Sequence, residues 1–227
     1  MKKFLCLLAA LLLLPAALAE TAAPTVYVSI TDDTGALVLA CAPVALTDAD
    51  GDGTLTLCDA LIAAHAAHHP QGAEAFRVEA TAFGLSMVRL WGIENGGSYG
   101  YCLNDASAMS LADPITGGDH VKAYCYTDLA AWSDTYSYFG APFATIAAGE
   151  ALPLTLCAAG YDAAWNPVTL PVEGAVITVD GAATSALTDA AGQASVTFAE
   201  PGVYVVSATS DTMTLVAPVC IVTVTAP

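Results

Sequence analysis

The 227-residue chain has few basic residues: five lysines and arginines stand against 22 aspartates and glutamates, a formal net charge of −17. Such an acidic protein repels nucleic acid and anionic membranes, and it attracts cations. The chain also lacks CxxC, His-Glu-x-x-His and Gly-x-Ser-x-Gly motifs, a phosphate-binding loop and a dinucleotide fingerprint. These absences argue against the commonest zinc, redox, hydrolase and nucleotide chemistries. We therefore expect a protein that is not an enzyme and does not bind nucleic acid.

Long apolar runs are absent except at the start, in MKKFLCLLAALLLLPAALAE. Lys2 and Lys3 precede this run, and the small residues Ala17 and Ala19 follow it, which is the pattern of a secretory signal peptide over residues 1–19. The run is too short for a membrane-spanning helix. We expect a secreted, extracellular or cell-surface-associated protein that does not span a membrane. Without the leader, three basic residues remain against 22 acidic ones, which makes −19.

Six cysteines follow the leader, at positions 41, 58, 102, 125, 157 and 220. An even number in an exported chain is typical of disulfide-bonded proteins, although the pairing cannot be read from sequence. Cys102 with Cys125 and Cys157 with Cys220 are the candidate pairs.

Short runs rich in β-branched residues dominate the chain and predict a mainly β fold with one principal helix. Residues 25–46 read as a hairpin around TDDTG, and SYGYCLN and HVKAYCYTD alternate as strands do. The helix is predicted in LTLCDALIAAHAAHH, where Cys58, Leu61, Ile62 and His65 form one stripe before Pro70 and Gly72 end it. Beyond residue 150, short strand-like runs separated by turns predict a β-sandwich.

The stretch TDADGDGTLTLCDALIAAH, residues 47–65, places aspartates at alternate positions before this helix. With Asp48 as position 1, the spacing matches the calcium loop of EF-hands, with Gly53 at the sharp turn and an aspartate instead of a glutamate in last place. Alternate carboxylates on a curling backbone can converge on a hard cation. The predicted Ca²⁺ ligands of this loop, residues 48–59, are Asp48, Asp50, Asp52, Thr54, Thr56 and Asp59.

Two plainer readings of the same residues exist. Thr56 and Asp59 form a Thr-x-x-Asp capping box, and Asp-Gly pairs are ordinary turn formers. Three clustered aspartates repel each other, however, so calcium is the favoured interpretation, with magnesium as the lesser candidate. The loop running into DALIAAH resembles a dockerin half-site, and that likeness implies calcium rather than cohesin docking because the second loop is missing.

Three motifs in order carry a wider resemblance: Thr56, Asp59, Ala60 and Leu61 at a helix start, Tyr101 with Asn104 in a strand, and Gly118, Asp119 and Val121 at a turn into a late strand. In this order they resemble the transcobalamin C-terminal-like domain of bacterial and archaeal surface proteins. The resemblance implies a β-grasp-like α+β domain over residues 20–140, with one helix across a small mixed sheet and a ligand- or partner-binding role. Cobalamin follows from the family name by analogy alone.

The last part of the chain, residues 151–227, resembles bacterial immunoglobulin-like surface domains. The resemblance rests on VEGAVITVDGAATSALTDAAGQASVTFAEPGVYVVSATS, in which Gly192 serves a hairpin turn and Pro201 and Gly202 begin a strand. It implies an immunoglobulin-like β-sandwich that acts as a spacer or adhesion module. Residues 141–150 are interpreted as the linker between the two domains.

Aromatic residues suggest a second function. Those that could line a pocket, together with one asparagine, are Trp91, Tyr99, Tyr101, Asn104, Trp132 and Tyr136. Core packing is the plainer explanation for such residues. Likewise, His65, His68 and His69 could bind zinc or copper, or could simply suit a helix C-terminus. The main hypothesis is an exported, non-enzymatic calcium-binding surface protein that binds a small molecule, a glycan or a surface protein. The alternative is capture of a corrinoid, haem or glycan in an aromatic pocket.

Overall fold

The computed structural model describes residues 22–227, so the predicted leader lies outside the described residues. The described chain is mainly β with one α-helix, as predicted, and a short 3₁₀ turn at Gly72–Ala75. In chain order the elements are β1 (Thr25–Thr31), β2 (Leu37–Ala45), α1 (Leu57–His68), β3 (Arg77–Thr81), β4 (Gly84–Arg89), β5 (Tyr99–Leu103), β6 (Ala106–Ser107), β7 (His120–Cys125), β8 (Thr135–Phe139), β9 (Phe143–Ala147), β10 (Ala151–Tyr161), β11 (Pro167–Pro171), β12 (Val176–Val179), β13 (Ala182–Leu187), β14 (Gln193–Thr197), β15 (Gly202–Thr209), β16 (Leu215–Val216) and β17 (Cys220–Thr225).

The N-terminal unit packs α1 on a mixed sheet of order β2-β1-β7-β5-β6. The β1–β2 hairpin is antiparallel, and β1 runs parallel to β7 at the centre of the sheet. A parallel neighbour requires a crossover connection, which the chain makes through α1 and the segments after it. This is the predicted arrangement of one helix across a small mixed sheet. Its core joins β1 to α1 through Val26, Val28, Leu57 and Leu61, all fully buried.

Helix α1 begins and ends where its sequence predicts. Thr56 is the N-cap, and its hydroxyl accepts a hydrogen bond from the Asp59 amide while the Asp59 carboxylate accepts one from the Thr56 amide. This reciprocal capping satisfies amide groups that the first helical turn would otherwise leave unpaired. The helix ends at His68, before Pro70, which cannot continue a helical hydrogen-bond ladder.

The C-terminal unit is a sandwich of two sheets. One has the order β11-β10-β8-β16, with β14 also pairing with β10, and the other has the order β13-β12-β15-β17-β9. Alternate residues of both sheets meet between them, with Leu156, Ile177, Val206 and Val222 fully buried. The expected β-sandwich is therefore present, and its strands include each of the short runs that the sequence indicates beyond residue 150.

Strands β8 and β9 belong to this sandwich. β8 pairs with β10, and β9 pairs in parallel with β17. The predicted boundaries place β8 in the N-terminal domain and read 141–150 as a linker, so the strand at 143–147 differs from that expectation. The small residues of GAPFATIAAGE resemble a connector, and none of the five residues of β9 is buried. Its position is decided by pairing with β17, whose paired residues lie 78 positions further along the chain.

Strand β7 lies at the boundary between the two units, and every one of its residues is buried, so both of its faces are covered. Val121, Ala123 and Cys125 face the α1 core, whereas Tyr124 packs with Tyr136 on the opposite side of the sheet. Cys102 also lies on that opposite side, so Cys102 and Cys125 sit on adjacent strands but on opposite faces. The expected bridge between them is wrong, and all six cysteines of the described residues are free thiols.

None of the helices between residues 22 and 227 has the length and apolar character that crossing a membrane requires.

Candidate metal centre

The loop between β2 and α1 curls around the Asp48 carboxylate. Its Oδ1 accepts hydrogen bonds from the amides of Gly51 and Asp52 at 2.7 and 3.1 Å, and its Oδ2 accepts one from Gly53 at 2.9 Å. Gly51 and Gly53 have φ of 76° and 87°, a region that glycine enters without the clash a Cβ would cause. The expected sharp turn at Gly53 is therefore present.

Three carboxylates converge as a result of this turn. One oxygen from each of Asp48, Asp50 and Asp52 can be chosen so that all three lie within 4.8 Å of one another, and the three side chains are exposed. This group could hold a metal ion, because hard cations are bound by several oxygens at once.

The pKa of Asp50 shows the electrostatic cost of this arrangement. The Asp52 amide donates a hydrogen bond to Asp50 and favours its charged form, but partial desolvation and the charges of Asp52, Asp59 and Asp48 outweigh that bond. The pKa of Asp50 is consequently raised. A bound cation would reverse the effect, because it favours the ionised form of every carboxylate around it.

The remaining predicted ligands have other partners. Thr54 lies on the exposed loop and donates its amide to Asp52 Oδ1 at 2.7 Å. Thr56 is buried, and its hydroxyl serves the helix cap. Asp59 is fully buried and does not join the group of three: its Oδ1 accepts from the Ala49 amide at 2.7 Å, and its Oδ2 accepts from the Thr56 amide and hydroxyl. Asp59 thus ties the start of the loop to the start of α1.

The candidate aromatic set does not form one pocket. Tyr99 and Tyr101 line a groove of about 430 Å³ beside the β3–β4 hairpin, together with Phe83 and Met87. The Tyr99 hydroxyl is already engaged, since it donates towards the Val88 and Ile93 carbonyls at 3.0 and 2.9 Å.

The other four members of the set lie elsewhere. Trp91 packs against His65 and His69 near the end of α1. Asn104 bridges Asp119 and the His120 amide. Trp132 is exposed on the loop before β8, and Tyr136 is buried at the boundary between the units.

His65 is a structural residue rather than a metal ligand. It is fully buried, its Nδ1 lies 2.6 Å from the Leu61 carbonyl oxygen, and its Nε2 accepts the Trp91 amide at 3.0 Å. One neutral tautomer satisfies both contacts, with the proton on Nδ1. Burial, more than any neighbouring charge, lowers the pKa of His65 to about 4.

A polar cluster at the boundary between the units was missed by the sequence reasoning. Lys122, almost fully buried, binds Asp105 at 3.0 Å, and the Tyr136 hydroxyl donates to the same carboxylate oxygen at 2.8 Å. Nearby, Ser29 Oγ lies 2.9 Å from His120 Nε2. The available signal was Lys122 itself, the single lysine after the leader, placed inside an apolar strand.

Comparison with known proteins adds no identification: no family model, curated protein or solved structure matches this chain. The resemblance to transcobalamin C-terminal-like domains stays a prediction.

Proposed function

We propose that this protein is an exported, non-enzymatic calcium-binding protein, with the ion held by the loop that precedes α1. The observation that carries the proposal is the convergence of Asp48, Asp50 and Asp52 around a turn closed by the Asp48 carboxylate. Carboxylates from these three residues, the Thr54 carbonyl and water would supply the oxygen ligands that calcium prefers. The ligand set proposed from sequence also contains Thr56 and Asp59, and both would first have to release contacts of the helix cap.

Calcium is favoured over other cations by the chemistry of the site. The group contains neither the thiolate nor the imidazole that zinc and copper prefer. Magnesium requires near-ideal octahedral geometry and retains several waters, so it needs fewer protein carboxylates than this loop presents. An acidic protein also raises the local concentration of divalent cations at its surface.

The metal would stabilise the N-terminal unit rather than take part in chemistry. The loop joins the β1–β2 hairpin to α1, and Asp59 ties the Ala49 amide to the helix cap within it. An ion bound there would hold the hairpin and the helix in one arrangement, so that folding and calcium binding are coupled. We infer a surface or extracellular role in which the stabilised unit binds a small molecule, a glycan or a surface protein.

Calcium titration of the chain without its leader tests this proposal. We expect saturable binding in calorimetry and a higher melting temperature, with ~2.7 kcal/mol of added stability at a calcium concentration 100 times Kd. Asp48→Ala combined with Asp52→Ala should abolish both effects.

A matched control separates the site from general charge. Asp50→Asn and Asp211→Asn each remove one negative charge, but Asp211 is exposed on the loop between β15 and β16, in the C-terminal unit. Only the change at Asp50 should weaken calcium binding. Equal weakening by both substitutions, or an unchanged melting shift in the double variant, would reject the loop as the site.

The second candidate function is capture of a small ligand in the groove beside β3–β4. The specific observation in its favour is that Tyr99 and Tyr101 both line that groove. Quenching of tryptophan and tyrosine fluorescence by a corrinoid, by haem or by glycans, lost in Tyr101→Ala, would favour this function. Titrations without any response would remove it.

A further inference from the structure

The β10–β11 hairpin displays two aromatic rings to solvent. Tyr161, the last residue of β10, is 60% exposed, and Trp165, in the turn, is 81% exposed. Their ring centroids lie 6.0 Å apart and the ring planes are inclined by 46°. Large aromatic side chains contribute to stability mainly when they are buried, so this exposed pair adds little to the core of the sandwich.

The turn that carries the pair is internally braced. Asp162 Oδ1 accepts the Ala164 and Asn166 amides at 2.8 and 2.9 Å, and Asp162 Oδ2 accepts the Asn166 side-chain amide at 2.9 Å. The Trp165 amide donates to the Asp162 carbonyl at 2.9 Å. Because these hydrogen bonds already order the turn, a ligand that contacts the rings binds with little loss of conformational entropy in the turn.

Trp165 occupies a backbone conformation that disfavours it. Its φ is 64°, in the left-handed region. A Cβ clashes there with the following carbonyl group, whereas glycine adopts this conformation without steric cost. The fold therefore gains no stability from a tryptophan at this strained, solvent-exposed position.

The charge around the pair selects the kind of ligand. The Asn166 side chain, followed by the Asn166 and Ala164 amides, lowers the pKa of Asp162, so this carboxylate stays ionised at neutral pH. In the part of the chain that the structure describes, Arg77 and Arg89 pair with glutamates and Lys122 pairs with Asp105. None of the three is paired with Asp162.

We propose that Tyr161, Trp165 and Asp162 form a binding site for an organic ammonium group, specifically the trimethylammonium group of a small soluble molecule. The faces of aromatic rings attract such cations, and the adjacent carboxylate and the acidic surface of the protein add to the attraction. Nucleic acid is repelled by the same charge. This site is separate from the calcium loop and does not depend on the proposed calcium function.

A second loop of the chain provides an internal control. At Asp128 a related turn occurs that is one residue longer: Trp132 is exposed, has φ of 50° and donates its amide to the Asp128 carbonyl at 3.0 Å. Trp132 has no ring paired with it among the described residues, and its indole N–H is directed to Ser98 Oγ at 3.3 Å. Without a second aromatic face, this loop should bind the cation much more weakly.

Titration of the leaderless chain with choline tests the proposal, followed by calorimetry and tryptophan fluorescence, with and without calcium. We expect saturable binding, weakened at least about tenfold for the uncharged carbon isostere of choline, in which carbon replaces nitrogen. Trp165→Gly should abolish binding while the melting temperature stays unchanged or rises, because glycine removes the backbone strain. Asp162→Asn should weaken binding, and Trp132→Ala should leave it unchanged.

Four results would overturn the proposal. They are equal binding of choline and its uncharged isostere, binding unaffected by Trp165→Gly, a marked fall in melting temperature for that variant, and no response to choline. A response to neutral oligosaccharides without one to choline would identify the pair as a sugar platform instead.

Discussion

Two exposed aspartate turns of this protein, one at residues 48–53 and one at 128–133, place the same side chain in opposite electrostatic settings. In the second turn, the pKa of Asp128 is lowered to about 2, because the Ala131 amide, the Ser133 hydroxyl and the Ala130 amide all donate to its carboxylate. In the first, the Asp52 amide donates a hydrogen bond to Asp50, but partial desolvation and the charges of Asp52, Asp59 and Asp48 outweigh it, so the pKa of Asp50 is raised.

This difference shows what separates a structural turn from a candidate ion site. The charge of a single carboxylate in a turn can be stabilised by nearby amide and hydroxyl donors, which favour its ionised form. When three carboxylates share one turn, hydrogen bonds do not cancel their repulsion, and a cation is the ordinary means of doing so. The number of carboxylates that converge, rather than their exposure, distinguishes the two loops.

The largest expected effect is at Asp59, the fully buried carboxylate that closes the first loop. Its counterpart in the second loop is Asp134, which accepts the Thr127 amide and hydroxyl and the Asp128 amide but is only half-buried. Asp59→Ala removes the acceptor for the Ala49 amide and for the Thr56 amide and hydroxyl. Because Thr56 is buried, its amide and hydroxyl are left without an acceptor, and we expect a loss of about 3 kcal/mol in the free energy of unfolding, measured with urea in the absence of calcium. Asp59→Asn keeps part of the acceptor and should lose less. A loss below about 1 kcal/mol for Asp59→Ala would show that the exposed turn holds itself together.

Protonation of His65, near the C-terminal end of α1, is expected to have an effect of similar size. Measuring it shows whether the aspartate turns or this buried histidine controls the loss of stability at low pH. The pKa of His65 is about 4 in the folded protein, against about 6.5 for a free histidine. Folding therefore disfavours its protonation, so its contribution to stability is complete above pH 6.5 and is lost as the pH falls from 6.5 to 4. Linkage gives ~3 kcal/mol for this loss.

The measurement is the urea unfolding free energy at several pH values for the wild type and for His65→Gln. The variant should show a shallower fall between pH 6.5 and 4, although desolvation also lowers the pKa of His120 to about 4 and leaves part of the slope. Identical slopes in the two proteins would assign the acid response to other groups.

The smallest effects compare the two turns directly. Without calcium, Asp50→Asn should raise the melting temperature, because it removes a charge whose ionisation the fold opposes. Asp128→Asn should lower it at neutral pH, because it removes a charge that the fold favours; this stabilising effect is present above about pH 4 and is lost as the pH falls towards 2.

Both changes remove one negative charge, so a general relief of the acidic surface would move the two melting temperatures in the same direction. Changes of opposite sign in the two melting temperatures, measured by differential scanning calorimetry, would support the comparison between the two turns. Equal signs would contradict it.

Much of the local structure could be predicted from the sequence, because short-range chemistry decides it. The β1–β2 hairpin, the stripe on α1, the Thr56–Asp59 capping box and the turn at Gly53 all depend on residues a few positions apart. Alternation and turn residues likewise predicted strands of the sandwich such as β10, whose alternate residues lie in the core.

The candidate sites were predicted less completely, because only part of each site depends on residues close together in the sequence. The clustering of Asp48, Asp50 and Asp52 follows from alternate spacing on a tight turn. The use of Asp59 as an acceptor for the Ala49 amide depends on how the loop packs against the helix. Likewise, the spread of Trp91, Trp132 and Tyr136 over separate regions depends on which strand each one adjoins.

The sequence by itself determined α1 with its N-cap, the β1–β2 hairpin and the acidic loop, since each is specified by neighbours along the chain. Only the tertiary structure decided that β8 and β9 complete the sandwich, that both faces of β7 are buried, and that Cys102 and Cys125 point apart. The physical reason is that these outcomes depend on pairing and burial between residues far apart in sequence, for which local periodicity carries no signal.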